Sequence, residues 1–142
     1  MNRILLAGLL LAASFQSLGQ TKAKARLQFD GFYQSKIHID TSGSDNYYYY
    51  LRFYADGNVV ATSSTGSADD LKKWFNINHK YSSHGKHKLS GARLSFSATS
   101  DKGTVVYDGK ISGNNSELLR KSLINGFSGT ETYHFIKIPN LE

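Results

Sequence analysis

From Leu27 onward the chain is written in a period of two, and short polar stretches that mostly carry glycine cut that pattern into pieces. Leu27, Phe29, Gly31, Tyr33, Ser35, Ile37 and Ile39 fall on one face of the first piece, and Gln28, Asp30, Phe32, Gln34, Lys36 and His38 fall on the other. Side chains that alternate in this way belong to a half-buried β-strand. A polar turn at residues 41–46 leads to an aromatic second strand, Tyr47 to Tyr54. Asp56-Gly57 is a two-residue hairpin signal, and Asn58 to Ser64 make the third strand.

One helix interrupts the strands. Ser67 is placed to cap it, Asp69 and Asp70 sit in its first turn, where the helix dipole favours negative charge, and Leu71, Trp74 and Phe75 recur at i, i+3 and i+4. A polar, histidine-bearing loop over 76–85 follows. Five further strands are then expected: Lys86 to Leu89, Ala92 to Thr99, Thr104 to Ser112, Glu117 to Ile124, and Glu131 to Ile138. The joints between them are Ser90-Gly91, Asp101-Lys102-Gly103, Gly113-Asn114-Asn115 and the stretch Asn125 to Gly129. Eight short strands with tight connections pair with their sequence neighbours. Closure into a barrel removes the two edges that a flat meander would leave open. The expected class is therefore all-β, an eight-stranded antiparallel up-and-down barrel with one short helix between strands three and four, with a two-sheet sandwich as the alternative.

The ends of the chain read differently. Arg3, the apolar run Ile4 to Ala13 and the small residues around Ser17-Leu18-Gly19 match a cleaved secretory leader over 1–19. A basic, flexible stretch over 20–26 and a single domain over 27–139 would follow. The chain has no cysteine. That excludes a disulfide scaffold, a thiolate metal site, a cysteine nucleophile and the lipid-anchored export route, so a secreted or periplasmic, non-lipidated protein without a membrane span is expected. The formal charge of +6 is spread along the sequence with no block of like charges, which argues against a nucleic-acid partner.

Four stretches carry a family likeness. They are Phe29-Asp30-Gly31-Phe32-Tyr33; Leu51-Arg52-Phe53-Tyr54-Ala55-Asp56-Gly57-Asn58-Val59; Gly85-Lys86-His87-Lys88-Leu89 with Leu94-Ser95-Phe96; and the closing Tyr133-His134-Phe135. In this order they resemble the small lipocalin-like, calycin-type barrel domains of exported bacterial proteins. The resemblance implies an extracytoplasmic binding domain without a defined reaction.

Two sets of aromatic residues are candidates for binding. Alternation sends Phe29, Tyr33, Tyr49, Phe53, Phe96, Tyr107, Tyr133 and Phe135 inward, with Trp74 of the helix plugging one end. An open interior of this kind would take a small apolar or aromatic ligand. The opposite phase of the second strand gives Tyr48, Tyr50, Arg52 and Tyr54, a face suited to a protein or glycan partner if it is exposed.

Other constellations carry less. His79, His84 and His87 match no metal-ligand spacing and read as solvated loop residues, while His38 and His134 read as outward strand residues. Asp40, Ser42, Ser44 and Asp45 resemble an ordinary polar turn more than a calcium loop. Asn114-Asn115-Ser116 is a sequon that matters only in a glycosylating host. No Gly-x-Ser-x-Gly elbow or phosphate-binding loop occurs, so neither an enzymatic activity nor a cofactor is expected.

Overall fold

The computed structural model describes residues 25–43 and 45–142. The expected leader over 1–19, the first part of the basic stretch and Ser44 lie outside the described residues. Eight strands form a closed antiparallel barrel in up-and-down order: β1 (Gly31–Ser35), β2 (Tyr48–Phe53), β3 (Asn58–Ser64), β4 (Ser83–Ser90), β5 (Arg93–Ser100), β6 (Gly103–Ser112), β7 (Asn115–Ser122) and β8 (Ser128–Lys137). Pairing of Tyr33 with Phe135 and of Ser35 with Tyr133 joins β8 back to β1 and closes the ring. A single short helix, α1 (Ala68–Leu71), lies between β3 and β4. No helix among the described residues is long and apolar enough to cross a membrane.

Local chemistry explains the joints. Gly57 adopts φ +95° in the β2–β3 hairpin, a conformation glycine adopts without strain, and Asp56 Oδ1 accepts the Asn58 amide at 2.9 Å. Ser67 caps α1 in a reciprocal box: its Oγ accepts the Asp70 amide and the Asp70 carboxylate accepts the Ser67 amide. The first strand is shorter than its alternation suggests. Buried Ser35 accepts the Tyr49 amide on its Oγ at 2.9 Å and donates to the Lys36 carbonyl, which ends the ladder. Pairing resumes only as a bridge between His38 and Tyr47.

Two apolar cores flank the barrel wall. The inner one contains Tyr33, Leu51, Phe53, Val59, Leu94, Phe96, Tyr107, Ile111, Leu118 and Tyr133. Leu27 belongs to it as well, entering from below. Its neighbour Gln28 donates its amide to Tyr33 Oη at 3.1 Å and its Nε2 to Asn114 Oδ1 at 2.7 Å, so the N-terminal segment closes the lower end against the β6–β7 turn.

The outer core covers the opposite face of β1, β2 and β3. Phe32, Tyr50 and Val60 point away from the barrel axis and pack under Ala68, Leu71 and Phe75, with Ile138 beside them. Burying an apolar side chain of this size contributes about 1.5–3 kcal/mol. The helix therefore lies along the flank of the barrel and leaves its upper end, opposite the N-terminal closure, uncovered.

Candidate binding site at the upper mouth

Most of the residues expected inside the barrel are there, and they fill it. Tyr33, Phe53 and Tyr133 are fully buried, Phe96 and Tyr107 nearly so, and Tyr49 and Phe135 partly. A chain of ring contacts runs through the interior: Phe135 to Tyr33, Tyr33 to Phe53 edge-on at 5.4 Å, Phe53 to Phe96 at 5.4 Å, and Phe96 stacked on Tyr107 at 4.4 Å. Alternation leaves the interior either open or filled, and the structure has it filled.

Three placements are corrected. Phe29 is 40 % exposed and lines a groove at the lower end with Arg26, Asp30 and Asn114. Trp74 plugs no end of the barrel; it packs on the outer core, with its ring 6.0 Å from Phe75 and 4.7 Å from His79. The Tyr48–Tyr50–Arg52–Tyr54 face is not a free surface. Tyr50 is fully buried and donates to the Gly66 carbonyl at 2.7 Å, and Arg52 is 4 % exposed. Arg52 Nη1 donates to the Phe75 carbonyl at 2.9 Å and Nη2 to the Glu142 carbonyl, while the guanidinium lies over the Tyr54 ring at 4.7 Å. Burial lowers the Arg52 pKa and pushes that of Tyr50 up to about 12.

The histidines also move. His84 and His87 lie on β4, and His87 is half-buried with its ring edge-on to Phe53 at 5.2 Å, so burial lowers its pKa. His38 is not an outward strand residue: its Nε2 lies 3.0 Å from Glu131 Oε2, and Tyr47 stacks on its ring. His134 is exposed and hydrogen-bonds Asn115. Among the described residues no three His, Cys, Asp or Glu side chains are grouped as a metal site would require.

The feature that alternation alone did not reveal is at the upper mouth. A cavity of about 520 Å³ opens there between the start of β2, the start of β6, the end of β7 and the start of β8. Tyr49, Arg120, Val105 and Thr130 line it, together with the His38–Glu131 pair and the loop residues Ile124 and Phe127. A smaller recess of about 130 Å³ shares Tyr49, Val105 and Arg120 and continues toward Tyr107 and Ala61. Arg120 stands between the two. Its guanidinium carbon lies 3.8 Å from the Tyr49 ring centroid and 5.8 Å from that of Tyr107. Burial holds the phenols of Tyr107 and Tyr133 above their ordinary pKa, so both are neutral hydroxyls near pH 7.

The lower groove is similar in size, about 530 Å³, but Arg26 to Asp30 and the turn at Gly113-Asn114 line it. It touches one strand connection and the N-terminal segment. The upper cavity instead draws on several strands and reaches a half-buried charge, with Val105, Ile124 and Phe127 supplying apolar surface among polar groups held by the barrel wall.

The fold is consistent with a lipocalin-like barrel. Comparison with protein-family models, curated proteins and solved structures finds no match to this chain.

Proposed function

We propose that this chain is an exported, non-enzymatic binding domain of the lipocalin-like type that takes a small, largely apolar or aromatic ligand at its upper mouth. The observation that carries this reading is the cavity of about 520 Å³ over Tyr49 and Arg120, which falls within the range of about 300–1,000 Å³ common for small-molecule sites. Ile124 and Phe127, 55 % and 61 % exposed, lie over Gly103 and Gly129 and place apolar surface at its edge. The sequence of the first nineteen residues supports export. The packed interior limits the guest to the mouth.

The test uses a neutral apolar fluorophore, N-phenyl-1-naphthylamine. Micromolar binding with enhanced emission is expected, with amide shift changes in NMR spectra at Tyr49, Val105, Phe127 and Thr130. Val105→Trp, which fills the mouth with an indole, should abolish binding while the far-ultraviolet spectrum is kept. Unaltered binding by that variant, or no binding by the parent protein, would overturn the reading.

A further inference from the structure

We infer that the ligand of this pocket is a single-chain amphiphile with an anionic head, a carboxylate in the simplest form, received by Arg120 while its apolar tail leads out past Ile124 and Phe127. This rests on the mouth being the binding site and adds the chemistry of the guest.

Alternation along β7 puts Ser116, Leu118 and Arg120 on the inner side of the wall, so the guanidinium is committed to the barrel. The side chain is half-buried, and a charge partly withdrawn from water in this way gains from a paired partner. Among the described residues no carboxylate lies within ion-pair distance of Arg120, and Arg120 Nε has no hydrogen-bond partner. The polar groups around it are the hydroxyls of Tyr107, Tyr133 and Tyr49. The buried Tyr133 hydroxyl is likewise without a partner.

Arg52 shows what a guanidinium with a structural task looks like in this molecule: two of its nitrogens end on carbonyl oxygens. Arg120 rests on ring faces and donates to the Tyr107 hydroxyl, a neutral acceptor, with no carbonyl or carboxylate oxygen beside it among the described residues. Glu131 is the carboxylate that lines the cavity, and it is engaged with His38 Nε2 at 3.0 Å. A ligand carboxylate would complete the cation and could accept from the phenols beside it, and charge-assisted hydrogen bonds of this kind are the strong ones.

The tail follows from the rim. Val105 is part of the wall, and Ile124 and Phe127 lie beyond it on the β7–β8 connection, so a chain held at its head by Arg120 meets apolar side chains on its way out. A single cation supports one negative charge, and a cavity of this size suits one chain.

The experiment titrates the whole protein with decanoate, decan-1-ol and decyltrimethylammonium at pH 7, with acetate as the head without a tail, by calorimetry and NMR. Decanoate should bind at least about tenfold tighter than decan-1-ol, and the ammonium and acetate should bind more weakly than either. Arg120→Gln should bring decanoate and decan-1-ol to within about threefold, and Arg120→Lys should keep part of the preference. If Arg120→Gln fails to fold, the comparison of the three decyl compounds on the parent protein decides alone. Equal affinity for the acid and the alcohol, an unchanged preference in Arg120→Gln, or acetate binding as tightly as decanoate overturns the inference and leaves the mouth as an apolar site. Failure of both the fluorophore and every decyl compound to bind overturns the site itself.

Discussion

The guanidinium carbon of Arg120 lies 3.8 Å from the centroid of the Tyr49 ring, a cation held against a π-face at the inner edge of the barrel mouth. Contacts of this kind contribute about 0.5–1 kcal/mol in water and about 2 kcal/mol when desolvated. Tyr49→Leu should therefore lower stability by about 1–2 kcal/mol in urea denaturation. Arg120→Met should leave the midpoint unchanged or raise it, because it replaces a charge lacking a counter-ion by an apolar chain of similar length. A loss of more than about 2 kcal/mol in Arg120→Met would mean that the fold itself compensates the charge.

The outer core should be as necessary as the inner one. Leu71→Ala is expected to cost about 2–5 kcal/mol and Phe53→Ala about 3–5 kcal/mol, since both side chains are fully buried. Tyr50→Phe keeps the ring and removes both the bond to the Gly66 carbonyl and the one accepted from Gln34 Nε2, for a loss of about 1–2 kcal/mol, whereas Tyr50→Ser also empties the site. Thermal and chemical unfolding of the four variants measures this. A Leu71→Ala protein as stable as the parent would show that the helix merely rests on the wall.

Alkaline pH should unfold the protein through its tyrosines. Tyr50 is pushed up to about 12, and burial raises Tyr33, Tyr107 and Tyr133 as well. The unfolded chain releases these protons near pH 10 while the native state still holds them, so the native state binds more protons and stability falls as pH rises. This contribution is complete below pH 10 and is lost from there upward through the native pKa values. Absorbance of tyrosinate near 295 nm should lag behind that of a free-tyrosine reference and then rise together with the loss of ellipticity. Smooth titration of all nine tyrosines at pH 10 with the fold intact would contradict this.

Gly109 is fixed by contact. A Cβ there would run into the Glu117 carbonyl and the Leu118 Cα of β7, backbone atoms that cannot step aside. Gly109→Ala should destabilise the β6–β7 pair by more than the average substitution, about 1 kcal/mol, and should broaden amide signals along both strands. Ala tolerated without loss would mean that the two strands can part without cost.

The strand count, the helix position and the barrel closure were legible because each rests on local chemistry: alternation, Asp-Gly and Ser-capped turns, and the aversion of strands to open edges. The phase of β2 was legible too, since Leu51 and Phe53 mark the inner face. Coverage of its other face was not, because alternation says which side chains share a face and not what lies over it. The signal was present in outward-phase apolar residues on adjacent strands, Phe32 among Asp30, Gln34 and Lys36, and Val60 next to Val59, which match the Leu71 and Phe75 stripe of the helix.

Arg120 was hidden for a different reason. Leu118 and Leu119 stand side by side, so each phase of β7 offers a leucine for the core. Only the register with β6 and β8, where Leu118 faces Gly109 and Glu131, decides that Arg120 turns inward and Lys121 outward.

The two cores brace the wall unevenly. β1, β2 and β3 are gripped from both sides, whereas β5, β6 and β7 have the inner core behind them and Ser97, Lys110 and Glu117 facing water on the other side. Motion that widens the upper opening belongs to the thinner side, where opening costs less. Tyr49 stands on the gripped side, and Val105 and Arg120 on the thin one. The mouth thus has two unequal jaws, one braced on both faces and carrying the ring, the other braced on a single face and carrying the charge.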